Sequence, residues 1–160
     1  MAAFTVTVDR TAQFTEYLDR AVDEVFRTMM AVSCTPVEQP FVPARKAISA
    51  VLGLAGAISG SMVLHSGDRA ALRMAERLTG ITPAQVDAMV RDAVGEVCNM
   101  LAGTWKGFDP ILCAGCLLST PTVVAGSSYE LFSQRAPTRI ERSYRFEDFT
   151  VTVTIFCEMA

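Results

Sequence analysis

Two side chains in the second half of the chain, Glu96 and Asn99, have the types and the spacing that suit chemistry on a bound partner. In a helix they stand one turn apart on the same side. With residues placed at about 100° per position, both fall off the apolar stripe formed by Val86, Met89, Val90, Ala93, Val94, Val97, Met100 and Leu101. A carboxylate pairs with a cation. A carboxamide accepts a hydrogen bond from a water through its oxygen while its NH2 holds a neighbouring acceptor, so it can fix a water without any side chain of shifted pKa. Apart from Glu96, the helical neighbours of Asn99 are small: Gly95 one turn before, Ala102 and Gly103 one turn after. Each helix-interior Gly costs about 1 kcal/mol relative to Ala. Two of them flanking one outward amide therefore predict a bare surface of Gly95, Ala102 and Gly103, open to close approach by a partner.

Other chemistries fit less well. Cys113 and Cys116 form C-x-x-C, but the stretch from Cys113 to Leu118 reads as a strand, whereas a redox pair belongs at a helix start, where the dipole lowers a thiol pKa. Cys34, Cys98, Cys157 and the single His65 are scattered without ligand spacing, so no metal site is expected. The chain contains neither G-x-S-x-G nor G-x-x-x-x-G-K, and His65 at a strand end reads as structural or surface. A net charge of -3 gives no reason to expect nucleic acid or anionic lipid as a partner. Residues 1–10 alternate Thr and Val rather than forming a secretory signal, which with five cysteines, an odd number, points to the cytoplasm. With 51% apolar residues in 160, the chain is expected to fold as one domain, 1–160, around a substantial core.

The elements that must position the pair follow from periodicity. Phe14, Leu18, Ala21, Val25 and Met29 predict a first helix over about 11–32. Pro36, Pro40 and Pro43 make a connecting loop of 34–43. From Ala47 to Gly67 no residue is charged, and Gly56 with Gly60 makes G-x-x-x-G, yet the many Gly and Ser residues argue against a membrane span. The stretch reads instead as a buried hairpin turning at 54–56, with Ile48, Ala50 and Leu52 on one arm and Ile58, Met62 and Leu64 on the other. A short helix capped by Ser66 or Asp68 carries Ala71, Met74, Ala75 and Leu78 and ends at Gly80. Thr82, Pro83 and Gln85 suggest a capping box, and Ile81 with Val86 a hydrophobic staple, at the start of the helix that carries Glu96 and Asn99 and runs to about Lys106. Strands over 138–146 and 149–157 flank a turn at Glu147 and Asp148. An antiparallel sheet with helices packed on it is the expected fold.

The string Gly95-Glu96-Val97-Cys98-Asn99-Met100-Leu101-Ala102-Gly103 resembles the signature helix of the CheC, CheX and FliY phosphatase family, with its Glu-x-x-Asn. The Pro-containing loop, the hairpin through Gly60-Ser61-Met62-Val63, the helix ending Leu78-Thr79-Gly80 and the run Ser119-Thr120-Pro121-Thr122-Val123-Val124 occur in the family's order, so the resemblance spans nearly the whole chain. It implies an α/β fold of the α+β type, a CheC/CheX-like antiparallel sheet with a pseudo-twofold internal repeat. Laying Asp23 to Ala31 over Gly95 to Gly103 matches Glu24 to Glu96 but sets Arg27 against Asn99, and Arg has no acceptor with which to orient a water. CheC-like members typically carry two such motifs and CheX-like members one, so the resemblance points to the CheX-like branch.

The resemblance further implies a chemotaxis phosphatase that hydrolyses the aspartyl phosphate of a CheY-like response regulator. Asn99 would position an in-line water, and Glu96 would pair with the lysine at the regulator's phosphorylation site. Mg2+ would be held by the regulator, with no cofactor of the chain's own. It also implies a homodimer joined through sheet edges, to which the last strands, with Val151, Val153, Ile155 and Cys157 on one face, are expected to contribute. The competing reading is a non-catalytic adaptor of chemotaxis or flagellar-switch type that binds a response regulator through the same helix; Asn99 argues against it.

Overall fold

Helix α1, Thr11–Met30, forms where Phe14, Leu18, Ala21, Val22, Val25 and Phe26 recur on one side, and all six are buried. It stops before Val32 because Ala31 turns left-handed, with φ 53°. The computed structural model describes residues 9–39, 45–127, 129 and 138–159. The Thr/Val alternation before Asp9, and Pro40 and Pro43 of the expected loop, lie outside them. Within that loop the structure adds a short strand, β1 (Thr35–Val37), in which Pro36 is tolerated because β1 has a ladder partner on one side only among the described residues.

The uncharged stretch is a hairpin, β2 (Ala47–Gly56) and β3 (Ile58–Gly67), with partners running from Ala47 opposite Gly67 to Leu54 opposite Gly60. Its turn falls slightly later than expected, at Gly56 and Ala57. Gly56 has φ 97°, and a side chain there would strike the carbonyl of Gly115. No helix among the described residues is long and apolar enough to cross a membrane. Helix α2 (Asp68–Thr79) closes on a left-handed Gly80. Helix α3 (Ala88–Gly107) is followed by α4 (Pro110–Gly115), β4 (Cys116–Leu118), β5 (Thr122–Gly126), and the hairpin β6 (Thr138–Phe146) and β7 (Phe149–Met159).

These strands form one seven-stranded antiparallel sheet in the order β1-β6-β7-β3-β2-β4, with β5 also on the outer side of β2. The order is symmetric about the β7–β3 boundary. Each half of the chain contributes a long helix and a hairpin, and the short strands after each helix pair with the other half's hairpin: β1 on β6, β4 and β5 on β2. Helices α1 and α3 pack against each other over one face of the sheet. Here Ala50, Leu64 and Val153 lie in one cross-strand row and Leu52, Met62, Ile155 and Ile140 in the next, all in a single core. That arrangement is the pseudo-twofold repeat suggested by the sequence.

It also corrects one expectation. β7 is an interior strand between β6 and β3, so Val151, Val153, Ile155 and Cys157 face the core and cannot form a sheet edge. On the opposite face Ser49, His65, Thr152 and Ser143 make a polar row. Ser49 Oγ lies 2.6 Å from His65 Nδ1, Tyr129 donates its hydroxyl to Ser49 Oγ at 2.9 Å, and burial lowers the His65 pKa. His65 is thus a structural residue.

Candidate functional site

Helix α3 begins later than the capping-box pattern suggested. Asp87 is its N-cap, accepting the Val90 N–H at 3.0 Å, while Thr82 donates its hydroxyl to Glu76 and Ile81 is exposed. Once Glu76 of the preceding helix engages the Thr82 hydroxyl, the carboxylate at Asp87 is the available cap. From there the helix is held from beneath. Val90, Val94, Val97, Leu101 and Trp105 are fully buried. Trp105 donates its indole N–H to the Phe14 carbonyl at 3.1 Å and stands edge-on to the Phe14 ring, centroids 5.3 Å apart. Cys98 lies 3.7 Å from the Ala50 carbonyl oxygen, and burial pushes its thiol up to about 12, so it serves as packing rather than as a nucleophile.

That fixed underside decides what faces outward. Glu96 is exposed and Asn99 half-buried, one turn apart. Among the described residues neither side chain makes a hydrogen bond or ion pair within the chain, so both are available to a partner. Asp92, exposed one turn before Glu96, and Gly103, one turn after Asn99, continue the same ridge. A Cβ at Gly103 would meet nothing within 4 Å.

The other two residues of the expected bare surface are not on it. Ala102 is 0% exposed, because it lies on the core side of the helix beside Cys98 and Leu101. Gly95 is also buried: a Cβ built there would come within 3.3 Å of Val123 Cγ2 and 3.8 Å of Pro121 Cβ. Small size at these positions serves internal packing, which spacing alone does not distinguish from an open surface. Sequence reasoning missed this wall. The only signal for it was the run 119–124, noted without a contact.

The wall is the connection from β4 to β5. Ser119 donates its N–H to the Gly53 carbonyl at 2.9 Å, and Gly53 donates its own N–H to Ser119 Oγ at 2.7 Å. Val123 sits opposite Ala50 in the β2–β5 ladder and packs on the core. Pro121 and Val123 are thereby pinned to the sheet on one side and press against Gly95 of α3 on the other.

The first-half counterpart sits on α1. Glu24 and Arg27 are exposed there, and Arg27 pairs with Asp23 at 3.4 Å. At the matched position a carboxamide is present on α3 alone, with Arg27 in its place on α1. Cys113 and Cys116 depart from the strand expected over 113–118. Asp109 caps α4, accepting the Ile111 and Leu112 N–H groups, and Pro110 starts it, so Cys113 falls in the helix and only Cys116 onward is strand. The pair lies at the C-terminal end of α4, the wrong end of the dipole for a reactive thiol, and burial raises the Cys116 pKa. Among the described residues no group of three or more His, Cys, Asp or Glu side chains is arranged to hold a metal ion.

Comparison with known proteins bears on the family and the fold. A family model described as the chemotaxis phosphatase CheX matches residues 48–141. The structure is similar to the CheX of Vibrio vulnificus, with TM-score 0.80 and 23% identity over 92% of this chain and 98% of that one. It is similar to the CheX of Desulfovibrio desulfuricans, with TM-score 0.77 and 23% identity over 91% and 99%. It also resembles the CheX in a CheX–CheY–BeF3–Mg2+ complex from Borrelia burgdorferi, with TM-score 0.71 and 19% identity over 91% and 97%. No curated protein matches the sequence.

Proposed function

The chain belongs to the family of the chemotaxis phosphatase CheX, whose model covers its residues 48–141, and on that premise we propose that it hydrolyses the aspartyl phosphate of a CheY-like response regulator. The observation that carries the reading is the ridge of α3, where Glu96 and Asn99 stand one turn apart with both polar heads unengaged among the described residues. The fold likeness to a CheX solved together with CheY and Mg2+ supports the choice of partner.

In this reading Glu96, the more exposed of the two, pairs with a lysine of the regulator and sets the register of the complex. The carboxamide of Asn99 accepts a hydrogen bond from the attacking water and places it in line with the phosphorus, while its NH2 donates to an acceptor beside the phosphoryl group. Neither step needs a perturbed pKa, because phosphoryl transfer depends chiefly on positioning and on electrostatic stabilisation of the transferred group. The Mg2+ that supplies charge neutralisation belongs to the regulator. We further propose that residues 1–160 act as a single domain in the cytoplasm and pair as a homodimer through an edge of the sheet, which the interior strand β7 does not form.

The division of labour is tested by turnover kinetics on a phosphorylated regulator. Asn99→Ala should lower kcat by on the order of 10²–10³-fold with little change in KM, and Glu96→Ala should raise KM as well as lower kcat. Equal loss of binding in the two variants would contradict it. Binding by the wild type without acceleration would instead favour a non-catalytic adaptor.

A further inference from the structure

Gly95 and Gly103 lie one turn to either side of Asn99, yet their surroundings differ. Gly103 opens on empty space, whereas Gly95 faces Val123 and Pro121. The wall it faces is not free to retreat. Val123 is held by the β2–β5 ladder opposite Ala50, and the connection that carries Pro121 is tied to Gly53 by the two reciprocal hydrogen bonds of Ser119. Gly53 itself is spare where this connection passes, since a Cβ there would come within 3.1 Å of Ser119 Oγ. Val123 is β-branched and has few χ1 alternatives with which to move its Cγ2 aside.

We infer that Gly95 is a positioning residue for the proposed phosphatase reaction: its missing Cβ lets the Pro121–Val123 wall brace α3 at the height that sets Asn99 against the partner's phosphoryl group. The inference rests on the phosphatase reading of the same helix. Asn99 follows Gly95 by four residues, so the two are stacked on one side of α3, about 40° apart around the axis, whereas Glu96 is about 100° away from Gly95. A methyl at Gly95, at 3.3 Å from Val123 Cγ2, requires a shift of a few tenths of an ångström, and with Val123 held in the β2–β5 ladder the shift falls on the helix. That displacement carries Glu96 and Asn99 together, but the long, exposed Glu96 side chain can follow its partner by changing rotamer, whereas the short, half-buried Asn99 carboxamide cannot. Chemistry should therefore suffer more than docking.

The test is Gly95→Ala, alone and combined with Val123→Ala, which removes the obstructing Cγ2. Helix propensity favours Ala over Gly at this position, so loss of the helix is not the expected consequence. On a phosphorylated response regulator, Gly95→Ala should lower kcat about tenfold with KM within about twofold of wild type, since larger misplacements near 1 Å reach about 10²-fold. The double variant should recover most of the lost kcat, a rescue that general loosening of the fold would not produce. A folded Gly95→Ala protein with wild-type kcat would overturn the inference, as would a rise in KM that matches the fall in kcat and is not relieved by Val123→Ala.

A stability cycle on the same four proteins reads the brace without any regulator. Thermal melts should be non-additive, the double variant melting higher than the sum of the two single effects allows, while Gly103→Ala, with open space around it, should melt above wild type. Additive melts would overturn the brace. If wild type fails to dephosphorylate any regulator while the melts remain non-additive, the phosphatase reading fails, and the positioning role of Gly95 with it, but the packing contact stands.

Discussion

Replacing Gly103 by leucine separates the stability of α3 from its use. The site is inside the helix, half-buried, with nothing within 4 Å of a Cβ built there. The backbone gains helix propensity without a clash, so Gly103→Leu should stabilise the protein by about 0.7 kcal/mol, which for a domain of this size raises Tm by about 2 °C. Its neighbour gives the opposite sign. Ala102 is 0% exposed, and Ala102→Leu overpacks the core, destabilising by about 1–3 kcal/mol. The single Trp105, fully buried against Phe14, reports both melts by fluorescence.

The functional effect of Gly103→Leu comes from direction. Helical side chains lean toward the N-terminus, so a leucine at 103 lies back over the turn of Asn99, four residues earlier. A bulky apolar group there keeps the partner's phosphoryl site away from the carboxamide, and a misplacement near 1 Å lowers kcat/KM on the order of 10²-fold. The assay is regulator dephosphorylation run beside the thermal melt. A Gly103→Leu protein that is more stable yet nearly inactive fits the account. One that is stable and fully active would refute the docking ridge, and one that melts below wild type would refute the open surroundings of Gly103.

Three other outcomes are expected. Asp87→Ala removes the N-cap of α3 and should destabilise the protein by about 1 kcal/mol, whereas Thr82→Ala should leave the start of α3 unchanged in amide hydrogen exchange, because Thr82 is not its cap. Glu147, gripped by Arg73 and then Arg77 from α2, has its carboxyl held down from 4.5 to about 2. A depressed folded pKa means that the clamp contributes fully above pH 4.5 and is lost as pH falls toward 2. Glu147→Gln should therefore flatten the acid side of a Tm-against-pH profile within that window, and an unchanged acid limb would remove the clamp from the account. Of the five cysteines only Cys113 is exposed, so native protein should take up one equivalent of a thiol alkylating reagent quickly and the rest only on unfolding. Rapid labelling of Cys98 would contradict its buried place under α3.

Helices and hairpins were legible where one face alone is buried. Phe14 to Phe26, the alternation of β2 with β3, and the turn at Glu147 and Asp148 each carry their period in the residues themselves. What could not be read depends on contacts made from far along the chain. β1 exists because β6, more than a hundred residues later, offers an edge to Thr35–Val37. The Thr82 hydroxyl is taken by Glu76 of another helix, which moves the start of α3 to Asp87. The same holds at the site. The spacing of Glu96 and Asn99 was visible because a helix fixes it locally, but Gly95, Ala102 and Gly103 all look alike in sequence as small residues near Asn99. Only packing assigns the first to the Pro121–Val123 wall, the second to the core and the third to the open ridge.

The most direct test of the central claim is the lifetime of a phosphorylated stand-alone response regulator, followed with and without this protein, with Asn99→Ala beside the wild type and binding measured in the same samples. The account predicts that the wild type shortens the lifetime of at least one regulator and that Asn99→Ala binds it comparably but leaves the lifetime near its unassisted value. Equal shortening by both proteins would contradict Asn99 as the group that positions the water, and a regulator bound by the wild type yet decaying at its unassisted rate would contradict the phosphatase itself.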